Sequence, residues 1–399
     1  MSNMEGEQDL MQRFELIATA AFGLEALVSK ELHQLGYTEQ KVETGRVLFS
    51  GDAMAICRCN LWLRCAERLL INMGQFEAGS FEELFEGTKA LPWPDLLPVD
   101  AVFPVEGKSI KSKLFSVPDC QAIVKKAIVE KMKQRYKVNW FAESGPRYTV
   151  EVGLLKDVAT LTVDTSGPGL HKRGYRKLVG QAPLKETLAA ALVSLSFWRP
   201  NQPLIDPFCG SGTIPIEAAM KGLNIAPGLG REFAAEKWPV IEAGTWSEAR
   251  SEAMGSALTD QQLEIEGYDA DADAVSLARY HARMAGLENK IHFQQRDLAQ
   301  LQTKKKYGCV ICNPPYGERL EDIQTAERLY AEMGVVFNKL DTWSFYVLTN
   351  HARFEQLFGR KSDKNRKLYN GRLQCHFHLF YGPRPPLKKD RQNLGQQVD

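Results

Sequence analysis

Two short runs in this 399-residue chain carry residue types that could do chemistry together. One is Asp206-Pro-Phe-Cys-Gly-Ser-Gly-Thr213, the other Asn313-Pro-Pro-Tyr-Gly317, and each follows an apolar run that reads as a strand (202–205 and 309–312). A glycine-rich turn behind a buried strand lets backbone N–H groups come close to a nucleotide-like ligand, because no Cβ stands in the way. In the second run, the Asn313 amide oxygen and the Pro314 carbonyl can accept the two hydrogens of an exocyclic base amine. Such an amine is a weak nucleophile while its lone pair is delocalised into the ring. Accepting both hydrogens draws the nitrogen toward sp³ and aims the lone pair. Pro314 and Pro315 stiffen the turn, so orientation supplies much of the acceleration. Tyr316 offers a stacking face worth about 1–3 kcal/mol per base. The target base must be unpaired or flipped out. This is group transfer to an NH₂, and it needs neither a metal nor a covalent nucleophile.

The identity of the donor follows from the first run. A dinucleotide turn reads G-x-G-x-x-G, but here the third glycine position holds Pro215, and a carboxylate, Asp206, precedes the glycines. An anion serves a pyrophosphate poorly; it serves a sulfonium and an α-amino group well. That favours S-adenosylmethionine over NAD. The cofactor-binding set is then Asp206, Phe208, Cys209, Gly210, Ser211, Gly212 and Thr213, joined by Asp269, Asp297 and Asn313. Asp269 ends the next strand, where a carboxylate accepts both ribose hydroxyls. Asp297 ends the third, placed for an adenine amino group. Asp271 and Asp273 read as a helix N-cap and a first-turn acid. Cys309-Val-Ile-Cys312 matches C-x-x-C, yet no second ligand pair follows and both lie in a strand, so no metal is expected.

These residues need an architecture to hold them. After residue 183 strands and helices alternate, which predicts a mostly parallel sheet covered on both faces. Strands end near residues 205, 269, 295, 312 and 349; helices fall near 183–198, 214–220, 272–284, 324–340 and 354–357. Asn370-Gly371 between two strand-like runs predicts a terminal hairpin. The usual gap of about twenty residues between the glycine turn and the ribose acid is lengthened by an insert at 224–262, whose Phe233, Trp238 and Trp246 are expected to pack over the sheet. Before residue 165 the pattern is mixed α+β: strands at 14–22, 42–50 and 99–105, helices at 23–35, 53–71, 81–91 and 118–137, and a hairpin over 148–155 and 158–163. Residues 108–113 read as a basic loop, and the Gly-rich basic stretch 164–180 as a linker.

Composition sets the limits. The chain is 44% hydrophobic and 25% charged, an ordinary globular balance, and its length predicts two or three domains. No run approaches the ~18 apolar residues of a membrane span. The polar start is unlike a signal peptide, and eight cysteines without a spaced framework fit reduced thiols in a cytoplasm. Of the 50 basic and 49 acidic residues, 15 and 7 fall between 101 and 180. That asymmetry suggests a region facing a polyanion. The candidate polyanion contacts, RNA contacts under the resemblance described below, are Lys111, Lys113, Lys125, Lys126, His171, Lys172, Arg173 and Arg176.

Taken in order on an α/β domain, the two runs resemble a class I S-adenosylmethionine-dependent amino-methyltransferase. Phe103-Pro-Val, Ser109, Lys111-Ser-Lys113 and Gln121-Ala-Ile-Val-Lys-Lys-Ala-Ile-Val129 resemble a THUMP core, with a ferredoxin-like subdomain before it. Leu170-His-Lys-Arg-Gly-Tyr-Arg176 and Ala182-Pro-Leu-Lys-Glu-Thr-Leu188 are similar to the bacterial group that methylates guanine N2 of 23S ribosomal RNA. The resemblance implies a Rossmann-like domain with a seven-stranded, mostly parallel sheet and an antiparallel terminal hairpin, preceded by an α+β ferredoxin-like/THUMP module that docks structured RNA. It implies these domains: 1–70 ferredoxin-like, 71–165 THUMP, 166–182 basic linker, 183–386 methyltransferase, 387–399 a disordered tail. By motif match, Asn313, Pro314, Pro315 and Tyr316 take the catalytic role. Some relatives carry a second methyltransferase domain after the first, and this chain ends without one. Rival readings are a transfer-RNA guanine-N2 methyltransferase, a DNA or RNA adenine-N6 methyltransferase, and a non-catalytic RNA-binding factor.

Overall fold

The computed structural model describes residues 12–176, 184–317 and 320–386. The expected tail at 387–399, the polar start and the later part of the linker lie outside them. The described residues form two units: one comprises the chain up to Ala21, Glu25–Leu170 and Pro227–Gly255, the other Phe22–Leu24, His171–Ala226 and the chain from Ser256 onward.

In chain order the first unit contains β1 (Phe14–Ala20), α1 (Glu25–Gln34), β2 (Gln40–Glu43), β3 (Arg46–Gly51), α2 (Ala53–Trp62), β4 (Ala66–Glu77), α3 (Phe81–Ala90), β5 (Val105–Ile110), α4 (Val117–Tyr136), β6 (Thr149–Leu155) and β7 (Val158–Asp164). One seven-stranded sheet runs through it in the order β2-β3-β1-β4-β7-β6-β5. β3 and β6 alternate between buried and half-buried positions as period-two strands should. The helix expected over 53–71 stops at Trp62, and β4 follows. β4 pairs with β1 on one side and β7 on the other, and its Leu69, Leu70 and Ile71 are all buried. A strand covered on both faces loses its alternation and cannot be told from a buried helix by period. The strand expected at 99–105 likewise shifts to β5, so Lys108 lies in a strand parallel to β6 rather than in a loop.

The expected linker is not free chain at its start. Thr165 and Ser166 are fully buried; Thr165 N donates to Leu69 O at 3.1 Å, Ser166 Oγ to Asn60 Oδ1 at 2.7 Å, and Asp164 pairs with Arg68. The insert also differs from expectation. Residues Pro227–Gly255, with α7 (Ala243–Gly255), fold into the first unit. Trp238 stacks on Tyr148 with centroids 4.4 Å apart and donates Nε1–H to Arg147 O at 3.0 Å. Phe233 stacks on Trp246 at 5.4 Å. The aromatics do pack, but against the first unit and not over the second unit's sheet.

The second unit contains α5 (Glu186–Leu195), β8 (Leu204–Asp206), α6 (Thr213–Gly222), β9 (Ile265–Asp269), α8 (Ala272–Met284), β10 (His292–Gln295), β11 (Cys309–Cys312), α9 (Leu320–Phe337), β12 (Ser344–Thr349), α10 (Phe354–Phe358), β13 (Lys364–Asn370) and β14 (Leu373–Phe380). Its sheet order is β10-β9-β8-β11-β12-β14-β13. β8 to β12 are parallel, while β14 is antiparallel to both β12 and β13. This is the expected Rossmann-like sheet with its terminal hairpin, turning at Gly371 with φ 63°. The chain steps outward from β8 through β9 to β10, then returns to lay β11 on the other side of β8. Ligands bind beyond the carboxyl ends of the strands at such a switch. Beneath it, Val310, Cys312, Tyr330, Phe337, Trp343, Phe345 and Phe380 belong to one buried cluster. Among the described residues no helix is long and apolar enough to cross a membrane.

Candidate active site

The turn after β8 is built by its glycines. Gly212 caps α6 with φ 82°, a left-handed conformation other residues rarely adopt. A Cβ there would also lie 3.0 Å from Ala278 Cβ and Phe293 Cζ. Gly210, with φ 50°, faces open space. Its N–H donates to Asp269 Oδ2 at 2.9 Å, and Asp271 N donates to Asp269 Oδ1 at 3.0 Å, so β9 and the turn are tied by one carboxylate. Cys209 N donates to Tyr268 O at 2.8 Å. Buried His281 brings Nδ1 to 3.0 Å from Ser211 O. Thr213 Oγ1 accepts from the Arg176 guanidinium.

Asp206 is 1% exposed and accepts the Phe208 N–H at 3.1 Å. Burial raises its carboxyl well above the usual range, and the neighbouring Asp269 charge pushes the same way. Burial likewise pushes up the Cys209 thiol, beside the same two carboxyls, so it has no thiolate character for nucleophilic attack. Asp297 Oδ1 accepts Ala299 N at 2.9 Å and caps the short turn Leu298–Gln300. Asp271 caps α8 through Asp273 N at 2.8 Å.

The Asn-Pro-Pro-Tyr run leaves the carboxyl end of fully buried β11. Pro314 is buried, Pro315 exposed, and Asn313 and Tyr316 half-buried. The Tyr316 hydroxyl donates to Asn313 Oδ1; a carbonyl oxygen has two lone pairs, so one stays available. The Pro315 carbonyl accepts from the Tyr330 hydroxyl at 2.8 Å, and Tyr330, fully buried, also lies 3.0 Å from Thr349 Oγ1 at the end of β12. The turn is therefore braced from below by α9 and β12. Burial pushes the Cys309 thiol to about 12, and the Cys312 thiol well above the usual value, with the Asp206 charge adding to the latter. No group of three His, Cys, Asp or Glu among the described residues could hold a metal.

One cleft of about 1120 Å³ takes in both turns. Asp206, Gly210, Asp269, Asp297, Asn313 and Tyr316 all line it, as do Phe208, Cys209, Ser211, Thr213, Pro314 and Pro315. Gly212 is not on its wall; it shapes the turn from behind. Sequence reasoning missed Arg296, whose guanidinium lies 4.2 Å from the Tyr268 ring centroid, and the hairpin tip Asn370, Gly371 and Leu373. Topology offered a signal for the tip: a terminal hairpin antiparallel to β12 turns at the carboxyl ends of the strands.

The candidate RNA contacts separate into groups. Lys111, Lys113, Lys126 and Lys172 are exposed and His171 is half-buried. Lys125 spends its ammonium on Phe103 O at 3.0 Å and Glu143 at 2.7 Å. Arg173 does not face solvent: it is 3% exposed, with Nε 3.3 Å from Glu217 Oε1, an oxygen that also accepts from Tyr175 at 3.3 Å. Arg176 pairs with Glu186 at 3.4 Å and donates to Leu184 O at 3.2 Å. The basic run reads as surface because its partners, Glu186 and Glu217, come from the following helices α5 and α6 and not from the run itself. Arg173 and Arg176 therefore leave the RNA-facing set.

Comparison with known proteins places this arrangement. Residues 15–70 match the RlmL ferredoxin-like domain, 78–164 the THUMP domain, and 173–378 the RMKL-like methyltransferase domain. A Bacillus subtilis protein named "Putative RNA methyltransferase YpsC" is 51% identical over 385 residues, covering 96% of this chain and all of that one. A crystal structure from Listeria monocytogenes, described as a "predicted N6-adenine-specific DNA methylase", is 54% identical with TM-score 0.90, over 93% of this chain and 97% of that one. SMU.472, "a putative methyltransferase complexed with SAH", is 49% identical with TM-score 0.90, over 94% and 100%. Methyltransferases of this family use S-adenosylmethionine, and the residues present fit it. Burial and the Asp269 charge disfavour ionised Asp206, and a cation bound beside it would restore that form; the open side of Gly210 admits a ligand against backbone. The chain belongs to the family of THUMP-containing methyltransferases with an RlmL-like ferredoxin domain and an RMKL-like catalytic domain, and S-adenosylmethionine is its cofactor.

Proposed function

We propose that the protein methylates RNA on an exocyclic base amine, and that the amine is N2 of a guanine in 23S ribosomal RNA. The observation that carries the reading is one cleft holding both Asp206–Ser211 and Asn313–Tyr316, in a chain whose other unit contains a THUMP domain. S-adenosylmethionine supplies an electrophilic methyl group. Asp206 and Asp269 bind it, the first through charge and the second through the ribose hydroxyls, with Asp297 toward the adenine. Asn313 Oδ1 and the Pro314 carbonyl accept the amine hydrogens, and Tyr316 stacks on the base. The brace from Tyr330 to Pro315 keeps the acceptors fixed, so little reorganisation accompanies transfer.

The Asn-Pro-Pro-Tyr turn serves guanine and adenine amines alike. Product analysis decides between them. Labelled cofactor would be supplied with unmodified 23S ribosomal RNA, transfer RNA and DNA, and the products digested to nucleosides. N2-methylguanosine from ribosomal RNA is expected. Label only in transfer RNA would move the substrate, and 6-methyladenine, in DNA or RNA, would overturn the base assignment.

A further inference from the structure

Between residues 360 and 372, six residues are basic and one, Asp363, is acidic. They span β13 and its turn. β13 closes the sheet, pairing on one side only, with β14. Lys364 and Lys367 are exposed along it, and Arg372 is exposed in the turn. Arg360 spends its charge on Asp363 at 3.3 Å; the structure gives Lys364, Lys367 and Arg372 no acidic partner among the described residues. Lysines on an edge strand guard against pairing with another chain, but that role does not call for a cation in the turn beyond the strand. The turn matters because of where it emerges. β13 and β12 are both antiparallel to β14, so β13 runs parallel to β12 and its carboxyl end comes out beside those of the catalytic strands. Asn370, Gly371 and Leu373 line the same cleft as Asn313 and Tyr316. A row of exposed cations without an acidic partner among the described residues thus leads along the sheet edge to the mouth of the cleft.

We propose that β13 and its turn form a track for the sugar–phosphate backbone of the RNA next to the target nucleotide, with Lys364, Lys367 and Arg372 on phosphates. The inference rests on the RNA-methyltransferase reading and adds where the substrate strand lies on the catalytic unit. An extruded base can enter the cleft only if its own backbone is held at the mouth, and phosphate contacts are what fix register and orientation. Arg173, buried against Glu217, and half-buried Arg176, paired with Glu186, are already committed within the unit.

The test compares wild type with Lys364→Ala/Lys367→Ala/Arg372→Ala, and with a control of equal charge loss, Lys304→Ala/Lys306→Ala/Lys339→Ala, whose lysines are also exposed. RNA affinity is read by equilibrium binding over a salt series, KM by methyl transfer, and cofactor affinity by calorimetry. The track triple should bind RNA about tenfold or more weaker at physiological salt, with the salt slope shallower by about 2. Its KM for RNA should rise in step, and its affinity for S-adenosylmethionine should hold. A wild-type slope and KM in the track triple would overturn the proposal, and so would an equal loss in the control. Because the slope is a binding measurement, a wild type that binds RNA with the full slope yet transfers no methyl would refute the methyl-transfer reading while the track stands.

Discussion

Asp206 and Tyr316 do separable work, and each predicts its own measurement. Burial, with Asp269 as a second negative charge, keeps the Asp206 carboxyl above its usual range. A sulfonium and an ammonium favour the ionised form, so cofactor binding should release a proton from it at pH below that raised value. Affinity should then rise with pH until the raised value is passed and level off above it. Calorimetry in buffers of different ionisation heat would detect that proton. Asp206→Asn should abolish the release, and a wild type that releases none would contradict the assignment. For Tyr316 the ring and the hydroxyl can be told apart. Tyr316→Phe keeps the stacking face and removes the hydroxyl, which donates to Asn313 Oδ1 and also meets Asn370 and Cys375, so it should retain most activity. Tyr316→Ala should lower RNA-dependent turnover by about tenfold to a hundredfold. At this scale the sequence was most legible, because glycines before a helix and a double proline after a strand have few other uses. What it hid were partners: nothing near Pro315 in sequence points to Tyr330, fifteen residues on and buried.

Elements decide whether those residues are held still. Tyr330 on α9 joins the Pro315 carbonyl to Thr349 on β12. Tyr330→Phe leaves both without that hydroxyl, and should cost about 1–3 kcal/mol in chemical denaturation. It should also lower kcat by about tenfold or more through loss of orientation, with KM for S-adenosylmethionine little changed. A variant with normal kcat would remove the brace from the account. Helices α5 and α6 carry the acids that pair with half-buried Arg176 and buried Arg173. Arg173→Ala strands the Glu217 carboxylate and should cost about 3–5 kcal/mol, while the salt slope of RNA binding stays at the wild-type value. A flattened slope would restore Arg173 to the RNA surface. The parallel strands were legible from alternation with helices. β4 was not, since its consecutive buried residues Leu69, Leu70 and Ile71 leave no period to read, and neither were the acids that pair with the basic run.

For the whole molecule, sequence continuity and packing part company at the insert. The chain leaves the second unit at Ala226 and returns at Ser256, and what lies between is folded into the first. The long gap announced an insert whose aromatics would pack over a sheet, but which unit it joined depended on contacts such as Trp238 with Tyr148. Trp238→Ala should therefore destabilise the protein by about 3–5 kcal/mol, read from denaturant melts, without changing cofactor affinity measured by calorimetry. The catalytic proposal makes the opposite demand of Asn313: loss of chemistry with folding and binding intact. The most direct test is single-turnover transfer from labelled S-adenosylmethionine to unmodified ribosomal RNA by wild type and Asn313→Ala, with cofactor affinity measured on the same preparations. The account predicts labelled N2-methylguanosine from wild type, transfer slowed by about 10²–10³-fold or more in Asn313→Ala, and cofactor affinity retained. Undiminished transfer by Asn313→Ala would contradict it.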